Sequence, residues 1–505
     1  MEIAPLRKFL HPLAAGLFSI CVAFLWSAKL LTEWGNDFGL YYANARYFSK
    51  DFRLYKEAFD AKGPAYYFFN EIIAAVIGWG STQAWITLSA TVALFLWSCW
   101  ISGSLVRGRR DAQWICLTVG GALLYGQSTN ASMPIFQAAV SIFGVYYIAS
   151  SFEIRPDSNR DRNANVGLTF RFYVGVVFLS LSFLTRFDGI TYSLLPVFAL
   201  FLYLKSDLKN KRIIIFRIII SLALFIVMFF FFMVHYSYSF IEFWIHNVNY
   251  TFYHAQHFSR RGHLFKWDQL IAISVAGLTT LLATCLVLWR VRRGRDAGTR
   301  ISSSPKGSFL LFSFWVCFLS WIITRGDMPH HVFIVIPGLI CLTAYLLPNA
   351  IEMLASRRLI VLICLYFIYV MVGAADEGIN ALRFKSDPFD PLSSPTSIRY
   401  QSTLDLMKGR DNVVVIGGRG WLFLFSAAKP DGAIYDFPLY ENPVFTTEGL
   451  LLRHKQLLNQ SNGYKFFIDR SLVESSDRSK YLDEILAISK EISRDDKYLY
   501  MEISL

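Results

Sequence analysis

Charge is what this chain has least of. Asp, Glu, Lys and Arg make up 17% of its 505 residues, against about 25% in an average soluble domain. That deficit argues against an ordinary water-soluble protein of this length. Paired cysteines are missing as well. Cys21, Cys99, Cys116, Cys285, Cys317, Cys341 and Cys364 stand singly in apolar stretches, without CxxC spacing or a neighbouring histidine. This excludes a disulfide framework and a zinc cluster of the usual spacing, and leaves them as packing residues. No P-loop, nucleophile elbow, HExxH motif, internal repeat or low-complexity tract occurs. Gly418-Arg419-Gly420 follows a strand-like run, but Phe423 stands where a dinucleotide fingerprint needs its third glycine, so the segment reads as a turn.

In place of charge there is apolar surface: 54% of the residues are hydrophobic and 17% aromatic. Apolar stretches of about 20 residues, each enough to cross about 30 Å of hydrocarbon, recur from Leu10 to Ala375. Arg7 and Lys8 precede the first of them, which is too long for a signal peptide and lacks a small-residue cleavage site, so it reads as a transmembrane helix. The formal charge of +12 does not point to nucleic acid. Its basic residues cluster in short loops: Arg107, Arg109 and Arg110; Arg155, Arg160 and Arg162; Lys205, Lys209, Lys211 and Arg212; Arg290 to Arg295; Arg357 and Arg358. By the positive-inside rule those loops are cytoplasmic. Beyond Asp376 acidic residues outnumber basic ones.

Threading the chain on that rule gives spans near residues 9–30, 82–106, 112–128, 134–151, 168–184, 190–204, 213–235, 268–289, 308–323, 331–348 and 358–375, about eleven helices in all. The expected class is mainly α, a polytopic membrane helix bundle over residues 1–375. A Pro- and Ser-containing linker (376–395) and a small extracytoplasmic α/β domain (396–505) follow it. In that last part Val413–Ile416, Phe466–Asp469 and Tyr498–Met501 read as strands, and Leu450–Leu458 and Tyr481–Ile492 as helices. An odd number of spans with the N-terminus inside puts the C-terminal part outside. Pro64–Gly80 is apolar but short. It reads as an interfacial or re-entrant helix on the outer face, because a crossing there would put the Arg107 cluster outside.

This threading gathers the unusual polar residues on the outer side, in a first outer loop (31–80) and a second large one (236–267) with three shorter segments. Ionisable groups at a membrane are costly unless paired or used, so a shared outer cavity is the functional expectation. Asp37 stands just after the first span. It either caps a helix over Phe38–Phe48 or serves as a base, and Tyr41, Tyr42, Ala45 and Phe48 give that helix one apolar face to lay on the membrane. Arg46 follows on the same segment. Asp60 and Lys62 precede Gly63-Pro64, which opens the next helix; they form either a loop ion pair or a contact for a lipid phosphate. Arg186 and Asp188 interrupt two apolar runs, as do Arg325 and Asp327 before His330 and His331. Each set is either a structural pair or an arginine fork offered to a phosphate. Adjacent histidines diverge on a helix and no matching carboxylate spacing accompanies them, so no metal motif is present. Asn247, Tyr250, His254, Arg260 and Arg261 lie among aromatics in the second large loop, a mixture suited to a sugar ring beside a charged headgroup.

Three runs carry a family resemblance: Asp37-Phe38-Gly39-Leu40-Tyr41-Tyr42 with Ala45-Arg46, Leu54-Tyr55 through Asp60-Ala61-Lys62-Gly63-Pro64, and Leu184-Thr185-Arg186-Phe187-Asp188-Gly189. With them, and over residues 1 to about 350 in order and topology, the chain resembles the GT-C superfamily of integral membrane glycosyltransferases. It is most similar to the bacterial branch related to protein O-mannosyltransferases and the lipid A aminoarabinose transferase. The resemblance implies a polyprenyl-phosphate sugar donor, a lipid, glycan or protein acceptor on the outer face of a bacterial inner membrane, and no nucleic acid. It implies Asp37 as the catalytic or acceptor-positioning carboxylate and Lys62 as a donor-phosphate contact, joined by Arg186 and Arg325. Two departures stand out: Gly63-Pro64 replaces a pair of prolines, and the segment from Gln127 to Met133 holds no acidic residue. The second leaves a divalent metal, an option for this family, without a supporting ligand motif here. The rival readings are a lipid-sugar transporter, whose hallmark would be repeats with matching broken helices, and a non-catalytic assembly subunit.

Overall fold

The computed structural model describes residues 4–28, 36–48, 54–55, 62–105, 110–124, 127, 131–152, 162–206, 211–249, 304–323 and 329–354, then 413–416, 434–436, 465–469, 473–474, 483, 486–487, 489–494 and 498–503. The helices are α1 (Ala4–Ser27), α2 (Asn36–Phe48), α3 (Ala65–Ile77), α4 (Ser81–Ser102), α5 (Arg110–Leu124), α6 (Ser132–Ser150), α7 (Arg162–Thr185), α8 (Leu194–Ser206), α9 (Lys211–His235), the single turn α10 (Phe240–Phe243), α11 (Pro305–Ile323) and α12 (Ile336–Leu354). Nine of the expected spans fall on helices among the described residues. Those at 268–289 and 358–375 lie outside them, as does the linker 376–395.

Among the described residues, four helical stretches are long and apolar enough to cross a membrane: Leu10–Ser27, Thr82–Leu105, Ser132–Ser150 and Ile215–His235. They play different parts. Ser132–Ser150 is 89% buried, the centre of the bundle, whereas Ile215–His235 is 11% buried and turns Phe216, Leu222, Val227 and Phe230 outward. A helix apolar on every side is stable in that position only in a hydrocarbon solvent. On α6, Gly144 faces Gly175 of α7; a Cβ on Gly175 would come within 2.9 Å of the Gly144 carbonyl oxygen. Small residues at a membrane helix contact let two backbones approach this closely.

Three local expectations change. First, two spans begin later than periodicity suggests: 3₁₀ segments at Phe187–Ser193 and Pro329–Ile334 precede α8 and α12. The Phe187–Ser193 stretch folds against the end of α7, where a Cβ on Gly189 would press on the Ser182 carbonyl. Second, α2 does not lie on a membrane with one apolar face. Phe38 and Tyr42 join the main core while Tyr41 and Ala45 join a second cluster, so the protein covers both faces. Third, residues 489–494 of the expected helix Tyr481–Ile492 and beyond form a strand.

That strand belongs to a five-stranded sheet of order β2-β1-β3-β5-β4, made of β1 (Val413–Ile416), β2 (Ile434–Asp436), β3 (Lys465–Asp469), β4 (Ser489–Arg494) and β5 (Tyr498–Ile503). β1 pairs in parallel with β2 and β3, and β5 pairs antiparallel with β3 and β4. Three expected strands are present. Ser489-Lys490-Glu491-Ile492-Ser493-Arg494 escaped recognition because it is a polar edge strand, paired on one side only and interrupted by a register shift between Glu491 and Ser493. The expected helix Leu450–Leu458 lies outside the described residues.

Candidate functional site

A second, smaller apolar cluster sits at one end of the bundle, where α2, the start of α3, the start of α6, the end of α7 and the end of α9 converge. Rings build it. Tyr41 meets the Tyr66 edge at 5.9 Å, and Tyr42 meets Trp79 at 5.6 Å while its hydroxyl donates to the Gly80 carbonyl at 3.2 Å. These contacts fasten α2 to α3. Asp37 lies in the first turn of α2, one residue inside the helix and not before it. Arg46, buried at the other end of α2, lies beside Tyr42 and hydrogen bonds to it. Burial pushes the Tyr42 phenol up to about 12 against the pull of the Arg46 charge, so Tyr42 stays a neutral donor.

The segment after α2 returns to this end. Gly63 N–H donates to the Thr185 carbonyl at 3.0 Å, and a Cβ on Gly63 would collide with the Leu184 carbonyl. Only glycine allows the first loop to lie this close on the end of α7. The contact draws together the stretches of backbone that carry Lys62, next to Gly63, and Arg186, next to Thr185. Arg186 is buried, and its backbone bends from α7 into the 3₁₀ segment that carries Asp188. Lys62 is held in turn through its carbonyl, which accepts the Tyr55 hydroxyl at 2.6 Å.

Tyr55 links this arm to the second large loop. Its ring stacks on His246 at 5.3 Å and meets Tyr238 edge-on at 5.1 Å. His246 and Asn247 lie on a π-helical stretch, Trp244–Asn249, and both are fully buried. Asn247 donates to the Phe243 carbonyl at 3.2 Å. Burial pushes the His246 imidazole down to about 4, which keeps it neutral at pH 7.

Of the residues picked out from sequence, Tyr41 lies in this cluster and backbone contacts bring Lys62 and Arg186 to it; Tyr42, in the main core, and Arg46 lie on the same α2, whose first turn holds the backbone of Asp37, and Asn247 follows His246, which stacks on Tyr55. His330 lies on the 3₁₀ segment before α12. Asp60, Tyr250, His254, Arg260, Arg261 and Arg325 lie outside the described residues. Glu71 and His235 were not among the residues picked out from sequence. A signal existed for Glu71, the one acidic residue in the apolar run of α3. Among the described residues no group of three His, Cys, Asp or Glu side chains gathers to hold a metal.

The bundle and the loop packed across the end of α7 belong to a fold found among solved membrane proteins, and the chain shares that fold over nearly its whole length. No protein-family model matches it, and no curated protein does. Among solved structures, the chain is similar to ArnT from Cupriavidus metallidurans bound to undecaprenyl phosphate, with a TM-score of 0.55 and 16% identity, covering 97% of each chain. The same protein in the apo state gives 0.49 and 14%, covering 99% of this chain and 98% of that one. The oligosaccharyltransferase AglB from Archaeoglobus fulgidus, in complex with an inhibitory peptide and a dolichol-phosphate, gives 0.49 and 11%, covering 92% and 70%. At such identities the likeness is one of fold.

Proposed function

We propose that this chain is an inverting glycosyltransferase of a bacterial inner membrane, moving one sugar from a polyprenyl-phosphate donor to an extracytoplasmic lipid, glycan or protein acceptor. The observation that supports the reading is the Gly63–Thr185 contact, which draws the backbone at Lys62 and the backbone at Arg186 together. An ammonium and a guanidinium turned to one phosphate match it better than either alone. The shared fold with ArnT, whose structure contains undecaprenyl phosphate, supports the same ligand class.

The chemistry asks little else of the protein. A polyprenyl phosphate is an adequate leaving group, so the site must orient the anomeric carbon, take a proton from the acceptor hydroxyl and stabilise the departing phosphate. Asp37 takes the proton as the acceptor oxygen attacks. The bond from the anomeric carbon to the phosphate oxygen breaks on the opposite side, and Lys62, Arg186 and Arg325 neutralise the phosphate released. One direct displacement inverts the anomeric configuration. Tyr41, Tyr42, Arg46 and Asp188, with Asn247, Tyr250, His254, Arg260, Arg261 and His330 from the later segments, surround sugar and acceptor. Purified Asp37→Asn protein, assayed for sugar transfer from polyprenyl-phosphate donors, tests this. Loss of turnover with donor binding intact is the expected result, and full activity overturns the mechanism.

A further inference from the structure

Glu71 lies in an apolar helix, where a leucine would pack at no desolvation cost, and its partner His235 sits against Phe68 and Phe231. Its carboxylate is nevertheless engaged. One oxygen meets His235 Nε2 at 2.8 Å, at the last residue of α9, and Tyr236 follows directly. Glu71 thus holds the residue at which α9 ends.

Two strained residues adjoin that grip. Among the described residues other than glycine, only Tyr55 (φ 66°) and Ser237 (φ 52°) adopt left-handed backbone. They face each other across one bond, Leu54 N–H to the Tyr236 carbonyl at 3.3 Å. Such conformations cost energy and persist where surrounding contacts over-determine them. From there the path is short: Tyr55 places its hydroxyl on the Lys62 carbonyl, and Gly63 locks onto Thr185.

We infer that Glu71 is a positioning residue for phosphate binding: by clamping His235 at the end of α9 it holds the left-handed turn at Ser237, which holds Leu54-Tyr55, which holds Lys62 on the end of α7 next to Arg186 in the chain. The inference rests on the proposed function for the identity of the ligand, but the clamp itself can be measured without one.

The test has two arms on the purified full chain. In the first, Lys62→Cys is labelled with a water-soluble maleimide, with the wild-type chain as blank, alone and combined with Glu71→Ala or Glu71→Gln. Labelling several-fold faster with Glu71→Ala, and intermediate with Glu71→Gln, is expected; equal rates overturn the clamp. In the second, undecaprenyl phosphate binding is measured for Glu71→Ala, Lys62→Ala and the double variant. Glu71→Ala is expected to weaken binding about tenfold, the loss of a charge-assisted hydrogen bond, and the double variant to bind no worse than Lys62→Ala alone. Additive losses mean that Glu71 supports the fold generally and overturn its positioning role. Should Glu71→Ala fail to fold, His235→Ala and Glu71→Gln are read by the same criteria. A wild-type chain that binds no undecaprenyl phosphate overturns the functional reading, while the labelling arm still decides the clamp.

Discussion

Gly63 donates its amide to the carbonyl of Thr185 at 3.0 Å, with the Leu184 carbonyl filling the place where a Cβ would stand. This one backbone contact joins the first loop, which carries Lys62, to the end of α7, which Arg186 follows.

Gly63→Ala should therefore act at a distance from any ligand. The obstacle is backbone, which cannot swing aside as a side chain can, and overpacking of this kind costs about 1–3 kcal/mol. We expect a lowered melting temperature in detergent together with weakened polyprenyl-phosphate binding. A Gly63→Ala chain with wild-type stability and binding would contradict the role of the contact.

Lys62→Ala and Arg186→Ala should each raise the donor KM, by about tenfold or more if each makes a charge-assisted contact with the phosphate. Because the cations share one anion, the combined loss should be non-additive. Steady-state kinetics with the donor varied at saturating acceptor measures this, and an unchanged donor KM in both variants would remove them from the phosphate site.

Tyr55→Phe removes the hydroxyl that reaches the Lys62 carbonyl at 2.6 Å and keeps the ring that stacks on His246. One hydrogen bond lost in this way corresponds to about 1 kcal/mol. Donor affinity should fall several-fold with the melting temperature little changed, whereas Tyr55→Ala should lower both, since it also deletes the ring packing against Tyr238 and Phe243.

His246 makes stability depend on pH. Its folded-state value is pushed down to about 4 by burial, below the ordinary value near 6.5. Between these two values the unfolded chain binds the proton and the folded chain does not, so stability rises with pH across that window and is lost as pH falls from about 6.5 towards 4. The full effect is about 3 kcal/mol. Melting temperatures from pH 4 to 8 should show this slope, and His246→Phe should flatten it.

Much of the bundle was legible from local pattern. The apolar runs of α1, α4, α6 and α9 announce themselves by length and composition, and basic clusters mark where they end. Periodicity failed where tertiary contact overrides it. Phe187–Ser193 tightens into a 3₁₀ segment against α7, α2 is covered on both faces by the rest of the bundle, and the polar edge strand β4 has no apolar alternation to read. Lys62 and Arg186 could be named separately as cations in odd places. Tyr55 and His246 could be named in their own segments, but their stacking could not be read, because nothing local in an aromatic-rich membrane chain pairs one ring with another far along it.

What the sequence determined by itself is the class of object, a bundle of membrane-length helices followed by strands. Solvation is a property of each segment alone: about twenty apolar residues carry the same transfer free energy wherever the chain later takes them. What only the tertiary structure decided is which polar groups meet. Glu71 and His235 are separated by 164 positions and lie 2.8 Å apart, and Gly63 reaches Thr185 because it lacks a side chain at the point of contact. Hydrogen bonds and ion pairs are short-ranged and directional, so their partners are chosen only when the helices pack.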